Sequence, residues 1–212
     1  PKRTRRRIPS SQLETMNEIP NADPLGLAAV VSYLPDPLGS YLRQLRDSLP
    51  GEHNNPQAHI TILPPRPLPV PVQTAAPEAR ATLQRFRAFA VELVSVRAFP
   101  GTNVLYIEPG EGDAGIRGLH EALNAGSLAA AEQFEFRPHL TISGPMPDGE
   151  LPKARHVAEK SWLAADFPRR FTLGELVFLW HRPDGHNGEW TRLWSQSLKP
   201  AQTAAALTAR TY

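Results

Sequence analysis

Ala58-His59-Ile60-Thr61-Ile62-Leu63 and Pro138-His139-Leu140-Thr141-Ile142-Ser143 are the two stretches from which the chain reads outward. Each is His-x-Thr set in an alternating apolar run, and the two histidines lie eighty positions apart. On a strand, successive side chains point to opposite faces, so each His shares a face with the Thr two positions on, about 7 Å away. Ile60 and Ile62, or Leu140 and Ile142, fill the core behind that face. With 7 His and 12 Thr among 212 residues, a shuffled chain would carry only about 0.16 such strings. Two in matching contexts point to a functional pair. Brought together across a cleft, they make a symmetric acid–base site.

An unperturbed imidazole titrates near 6.5, so around neutrality one His can be neutral while its partner is protonated. Such a pair can do acid–base chemistry without a metal: one His takes a proton from an attacking nucleophile, and the other protonates the leaving group. The two Thr hydroxyls can donate to oxygens on which negative charge builds. Each motif offers one ring nitrogen, and the nearest acids, Glu52 and Glu135, lie seven and four residues upstream. His181 and His186 flank a turn and make a poor ligand pair. The expectation is therefore no metal and no cofactor. Gly110 to Gly115 lacks both the Lys-Ser/Thr of a P-loop and the spacing of a dinucleotide fingerprint.

Around this core, Leu25–Leu34 reads as a buried strand ended by Pro35-Asp36-Pro37. An amphipathic helix follows at 38–49 and is stopped by Pro50-Gly51. The first motif strand is expected at 57–63, ended by Pro64-Pro65-Arg66-Pro67, with Pro-rich linker up to Pro77. A helix at 77–90 leads to strands at 91–99 and 103–109, joined by a Pro100-Gly101-Thr102 turn. A helix at 113–125 precedes the second motif strand at 137–143. A helix at 151–165 and strands at 171–181 and 189–198 finish the pattern, the last two joined by a turn over 183–188. Each half thus holds a strand, a helix and a motif strand, as a diverged duplication would. The class is α+β with antiparallel pairing.

Lesser candidates surround the motifs. Arg137 shares the face of His139 if the strand has begun by then, and would offer a phosphate its charge. Arg66 reads as a linker charge, or as one reaching the rim of a groove. Tyr33, Tyr106 and Trp180 are candidate stacking platforms for a base. His120 lies on the apolar stripe of its helix and reads as packing.

Composition sets the outer bounds. The net charge is only +2, so the fold as a whole is no polyanion binder, and the absence of Cys removes disulfides and thiolate chemistry. Five of the 23 basic side chains fall in residues 1–7, which read as a solvated tail or a salt-sensitive arm for nucleic-acid backbone. No apolar run reaches the 18 or so residues that span a bilayer. The expected organisation is a basic tail over 1–24, one catalytic domain of two lobes over 25–198, and a C-terminal tail over 199–212.

The doubled motif resembles the signature of the 2H phosphoesterases. Leu63-Pro64-Pro65 after the first motif and Phe136-Arg137-Pro138 before the second are similar to the bacterial 2′–5′ RNA ligase branch of that group. The resemblance covers roughly residues 25 to 198. It implies two lobes related by a pseudo-two-fold axis, antiparallel sheets lining a central groove and helices outside. It also implies catalysis by His59 and His139, phosphate contacts from Thr61 and Thr141, and for ring opening His139 as base with His59 as acid. Three functions follow: a hydrolase opening 2′,3′-cyclic phosphates, an RNA 2′–5′ ligase on the same site, or a binding module for a nucleotide or RNA end. Matched His pairs favour the enzymes. The expected partners are RNA ends or cyclic nucleotides rather than a membrane, met by a cytoplasmic monomer.

Overall fold

The computed structural model describes residues 26–51, 57–182 and 190–201. The expected tail over 1–24, most of that over 199–212, the turn over 183–188, Glu52 and His186 lie outside the described residues.

The chain runs β1 (Leu27–Tyr33), α1 (Leu38–Asp47), β2 (His59–Pro67), α2 (Val72–Leu83), β3 (Phe89–Ala98), β4 (Leu105–Pro109), α3 (Asp113–Leu123), a 3₁₀ turn (Gly126–Leu128), β5 (Leu140–Ser143), α4 (Leu151–Ala164), β6 (Arg170–Leu173), β7 (Glu175–His181) and β8 (Trp190–Ser197). Two four-stranded sheets form, ordered β2-β1-β7-β8 and β5-β4-β3-β6, and every strand pairing in them is antiparallel. The two orders superpose term by term. Each motif strand, β2 or β5, is an edge strand beside the strand that precedes its helix. The expected α+β fold of two lobes is therefore present, with β1-α1-β2 repeated as β4-α3-β5.

The apolar patterns account for the packing. β1 is buried on both faces through its centre, as a continuous apolar run requires. On β2, Ile60 and Ile62 are fully buried while His59 and Thr61 are half-buried, and Leu140 and Ile142 stand in the same relation to His139 and Thr141. One continuous core joins these four residues to the stripes of α1 and α3. The helices are exchanged between the halves: α1 packs on β5, and α3 packs on β2.

Four boundaries differ from the sequence reading. The first motif strand continues through Pro64-Pro65-Arg66-Pro67, with Ala28 opposite Arg66 and Leu27 opposite Pro67. Proline is tolerated there because β2 is an edge strand and its register with β1 shifts twice, as at bulges. The helix expected from Pro77 begins at Val72 and encloses Pro77. An interior proline costs about 3 kcal/mol, and burial of Val72, Ala75, Ala76, Ala79 and Leu83 offsets it. Phe86 and Phe89 consequently fall outside that helix, and Phe89 opens β3. The single strand expected over 171–181 breaks at Gly174 into β6 and β7, which belong to different sheets. Finally, β5 starts at Leu140, because Pro138 has no N–H to give a ladder, so His139 and Arg137 precede the strand.

Candidate active site

The two His-Thr pairs are built alike. His59 lies opposite Tyr33 on β1, and Thr61 opposite Val31; Thr141 lies opposite Tyr106 on β4. Nδ1 of His59 lies 2.9 Å from the main-chain oxygen of Gln57, and Nδ1 of His139 lies 2.7 Å from that of Arg137. A carbonyl only accepts, so in both cases Nδ1–H donates and Nε2 is the nitrogen left for chemistry. Each ring also meets a tyrosine edge-on: Tyr33 at 6.0 Å from His59 and Tyr106 at 5.8 Å from His139. Neither Thr61 nor Thr141 has a hydrogen-bond partner for its hydroxyl among the described residues, which leaves both donors available to a ligand.

The surroundings then diverge. Phe99 stacks on Tyr106 at 4.2 Å and lies perpendicular to His139, ring centres 4.8 Å apart. Burial holds the His59 imidazole below its ordinary range; the Gln57 carbonyl opposes this, and the charges of Arg46 and His139 add to it. Burial also lowers His139, against the pull of the Arg137 carbonyl and with help from the Arg137 guanidinium. The motif strands β2 and β5 are in contact, which brings the two halves of the candidate site side by side.

Thr61 and His139 line one cavity of about 560 Å³. Its far wall is the segment before β5, with Phe134, Phe136 and Arg137, together with Phe99. Phe134 is 77% exposed, an unusual state for so large an apolar ring. Arg137 is exposed, its Nη1 3.4 Å from the Tyr106 hydroxyl. Among the described residues no three His, Asp or Glu side chains converge as metal ligands would.

The lesser candidates are placed as follows. Tyr33 stands beside His59, but Tyr106 and Trp180 are buried at 3% and 1% exposure, so neither offers a face to a ligand. The aromatic wall is instead Phe99, Phe134 and Phe136. The only trace of it in the sequence is the alternation Phe134-Glu135-Phe136 inside a polar stretch. Arg66 is no linker charge: it lines the same cavity as Thr61 and His139, and its guanidinium is buried and donates to Asn124 Oδ1 (2.6 Å), Leu128 O (3.0 Å) and Glu132 (2.7 Å). His120 does pack, its ring stacked on Phe136 at 3.7 Å, but it also makes two polar contacts. Arg46, which the apolar stripe of α1 gave no reason to single out, is buried and hydrogen-bonded to the main chain of both motifs.

A model of the 2′-5′ RNA ligase superfamily matches residues 34–185, both motifs included. The chain belongs to this superfamily. Among curated relatives, a protein of Geobacillus sp. (strain WCH70) with the provisional description of a phosphoesterase is 28% identical over 104 residues, 44% of this chain and 58% of that one. A second, from Geobacillus thermodenitrificans, is 35% identical over 52 residues, 24% of this chain and 30% of the relative. The matches thus span less than two thirds of these relatives. Two solved structures share the fold over nearly their whole length. LigT of E. coli matches with a TM-score of 0.58 at 14% identity, over 84% of this chain and 99% of LigT. TT0787 of Thermus thermophilus gives 0.57 at 18% identity, over 83% and 100%. With this family, the expected 2H phosphoesterase fold stands.

Proposed function

We propose that this superfamily member opens 2′,3′-cyclic phosphates on nucleotides or RNA ends by metal-independent acid–base catalysis from His59 and His139. One observation carries the reading. Two imidazoles with Nδ1 committed to a main-chain carbonyl stand at motif strands that are in contact, each with a Thr two residues on whose hydroxyl has no partner among the described residues. Binding alone needs no such matched pair; proton transfer in both directions does.

In the proposed reaction one neutral His takes a proton from water as it attacks phosphorus. The bond to the 3′ oxygen breaks, the second His, protonated, delivers a proton to that oxygen, and a 2′-phosphate remains. Thr61 and Thr141 donate to the non-bridging oxygens. For ring opening the resemblance implies His139 as base and His59 as acid; burial lowers both rings, with Arg46 and His139 adding to it at His59 and Arg137 adding to it at His139.

The cavity leading from Thr61 and His139 to Phe99, Phe134 and Phe136 suits a nucleobase, which stacks on aromatic faces without hydrogen-bond readout. LigT has been crystallised with 3′-AMP, with ATP, with NADP+ and with phosphate, in keeping with a nucleotide ligand here. The family description also favours a second reading, 2′–5′ ligation, in which a ribose hydroxyl replaces water. Incubation with 2′,3′-cyclic nucleotides and with cyclic-phosphate-ended RNA, with and without EDTA and with and without a 5′-hydroxyl acceptor, tests both. The expected product is the 2′-phosphate, formed equally with EDTA. Loss of activity in EDTA and its rescue by a divalent ion would overturn the mechanism, and joined RNA would assign the ligase.

A further inference from the structure

Helices α1 and α3 are equivalent in the two halves, and their buried stripes align. Leu42, Leu45 and Arg46 on α1, with Leu49 just past its end, match Ile116, Leu119, His120 and Leu123 on α3 at the same spacing. Three of the four positions are apolar in both. The remaining one is a polar side chain buried to 5% exposure in both, Arg46 and His120. A polar group carried so deep is costly unless it is hydrogen-bonded. Both are bonded, and to the same kind of target.

Because the helices are exchanged between halves, each of these side chains meets the opposite motif. Arg46 Nε and Nη2 donate to the main-chain oxygen of Thr141 at 3.0 and 2.6 Å. His120 Nδ1 lies 2.9 Å from the main-chain oxygen of Ile62, the residue after Thr61. Arg46 Nη1 also donates to Gln57 O at 3.1 Å, the same oxygen that receives Nδ1 of His59. Glu132, 3.2 Å from His120 Nε2 and 2.7 Å from Arg66, fixes the far side of the His120 ring. The end of α1 is fixed on the same strand, since Ser143 Oγ donates to Pro50 O at 2.6 Å. At Gly51, where φ is +116°, a side chain would strike that hydroxyl.

We infer that Arg46 and His120 are positioning residues, a crossed pair of braces in which the helix of each half holds the motif strand of the other and so sets how the two His-Thr pairs face one phosphate. The inference rests on the proposed reaction for its effect on turnover, but the brace itself can be read without it. The braces are not equal. Arg46 holds Thr141 and the carbonyl orienting His59, so it touches both reactive pairs; His120 holds the first strand alone. The groups facing His59 are Tyr33 from β1, Arg46 from α1 and His139 ahead of β5. Of these, only Arg46 carries a permanent charge.

The test uses the whole chain with Arg46→Lys, Arg46→Met and His120→Asn. Each variant is followed by thermal unfolding, by turnover of a 2′,3′-cyclic nucleotide, and by NMR titration of the His59 and His139 ring protons. Arg46→Lys keeps the charge but cannot span three bonds to two carbonyls. It should lower kcat by about tenfold to hundredfold with KM nearly unchanged, the scale of a small misplacement of reacting groups. Arg46→Met should raise the His59 midpoint towards 6.5 and leave that of His139 in place, while Arg46→Lys should leave both. His120→Asn should lower kcat without moving the His59 midpoint. If the wild type turns over no cyclic phosphate, the proposed reaction fails, and the titration of Arg46→Met still decides the brace. Folded Arg46 variants with wild-type kcat and an unmoved His59 midpoint would overturn it.

Discussion

The pH dependence of kcat/KM puts the His pair to its most direct test. Both imidazoles sit below 6.5 in the free protein, because burial penalises their charged forms and the nearby cations add to it. Productive encounters need one ring neutral and one protonated. The profile of kcat/KM reports free-enzyme values, so its maximum lies between the two apparent values of the coupled pair, on the acid side of 6.5. On the alkaline limb a single proton is lost, and the rate falls about tenfold per pH unit, hence about 100-fold between pH 6.5 and 8.5. The acid limb falls likewise once both rings are protonated. Initial rates on a 2′,3′-cyclic nucleotide far below KM, at constant ionic strength, measure this curve. At saturation the anionic phosphate stabilises the imidazolium, so the kcat profile should be displaced upward from that of kcat/KM. A kcat/KM maximum at pH 7.5 or above, or no alkaline limb, would refute the reasoning.

Three further outcomes follow. His59→Ala and His139→Ala should each lower kcat by about 10²–10⁴ in steady-state assays, and the double variant should lose far less than the product; Thr61→Val and Thr141→Val should each cost about 2–4 kcal/mol of transition-state stabilisation. Phe134→Ala should raise KM for a cyclic nucleotide by about tenfold and leave kcat nearly intact, since stacking a base is worth about 1–3 kcal/mol and the ring is remote from the proton transfers. Arg66→Met, which strands Glu132 and the oxygens of Asn124 and Leu128, should lower stability in urea unfolding by about 3 kcal/mol, the lower end for breaking a buried pair because Glu132 is still partly solvated.

The sequence was most informative where one period governs a whole segment. Alternation put His59 with Thr61 and Ile60 with Ile62 on opposite faces, and the structure keeps that division. The stripes of α1 and α3 were equally visible, and so was the duplication they belong to. What escaped reading depends on partners distant in sequence. Pro64 to Pro67 looked like a strand end because the ladder-breaking property of proline is local, whereas the edge position that tolerates it is set by the sheet order. Nothing local marks Gly174 as the point where one apolar run changes sheets. Nothing local singles out Arg46, because the carbonyls that hold it come from residues 57 and 141. His120 had no visible polar partner, since Ile62 and Glu132 are contributed by other segments.

A duplicated scaffold poses a chemical problem that the braces help to solve. Two copies of His-x-Thr on symmetric strands give two imidazoles of equal proton affinity, yet acid–base catalysis needs one to hold its proton and the other to lack it. The difference has to come from residues that the duplication did not keep alike. At the equivalent buried position of the two helices, one half carries a permanently charged guanidinium and the other an imidazole. The guanidinium lies behind His59, sharing the Gln57 carbonyl with it, and its charge is poorly screened because it is buried. The matching side chain of α3 approaches the first strand past its Thr, at Ile62, and is held on its other side by a carboxylate. The same exchange of helices that fixes the spacing of the two pairs thus also makes them unequal. On this view Arg46 is where symmetry of fold becomes asymmetry of surroundings, a buried cation beside His59 where His139 meets only the exposed Arg137.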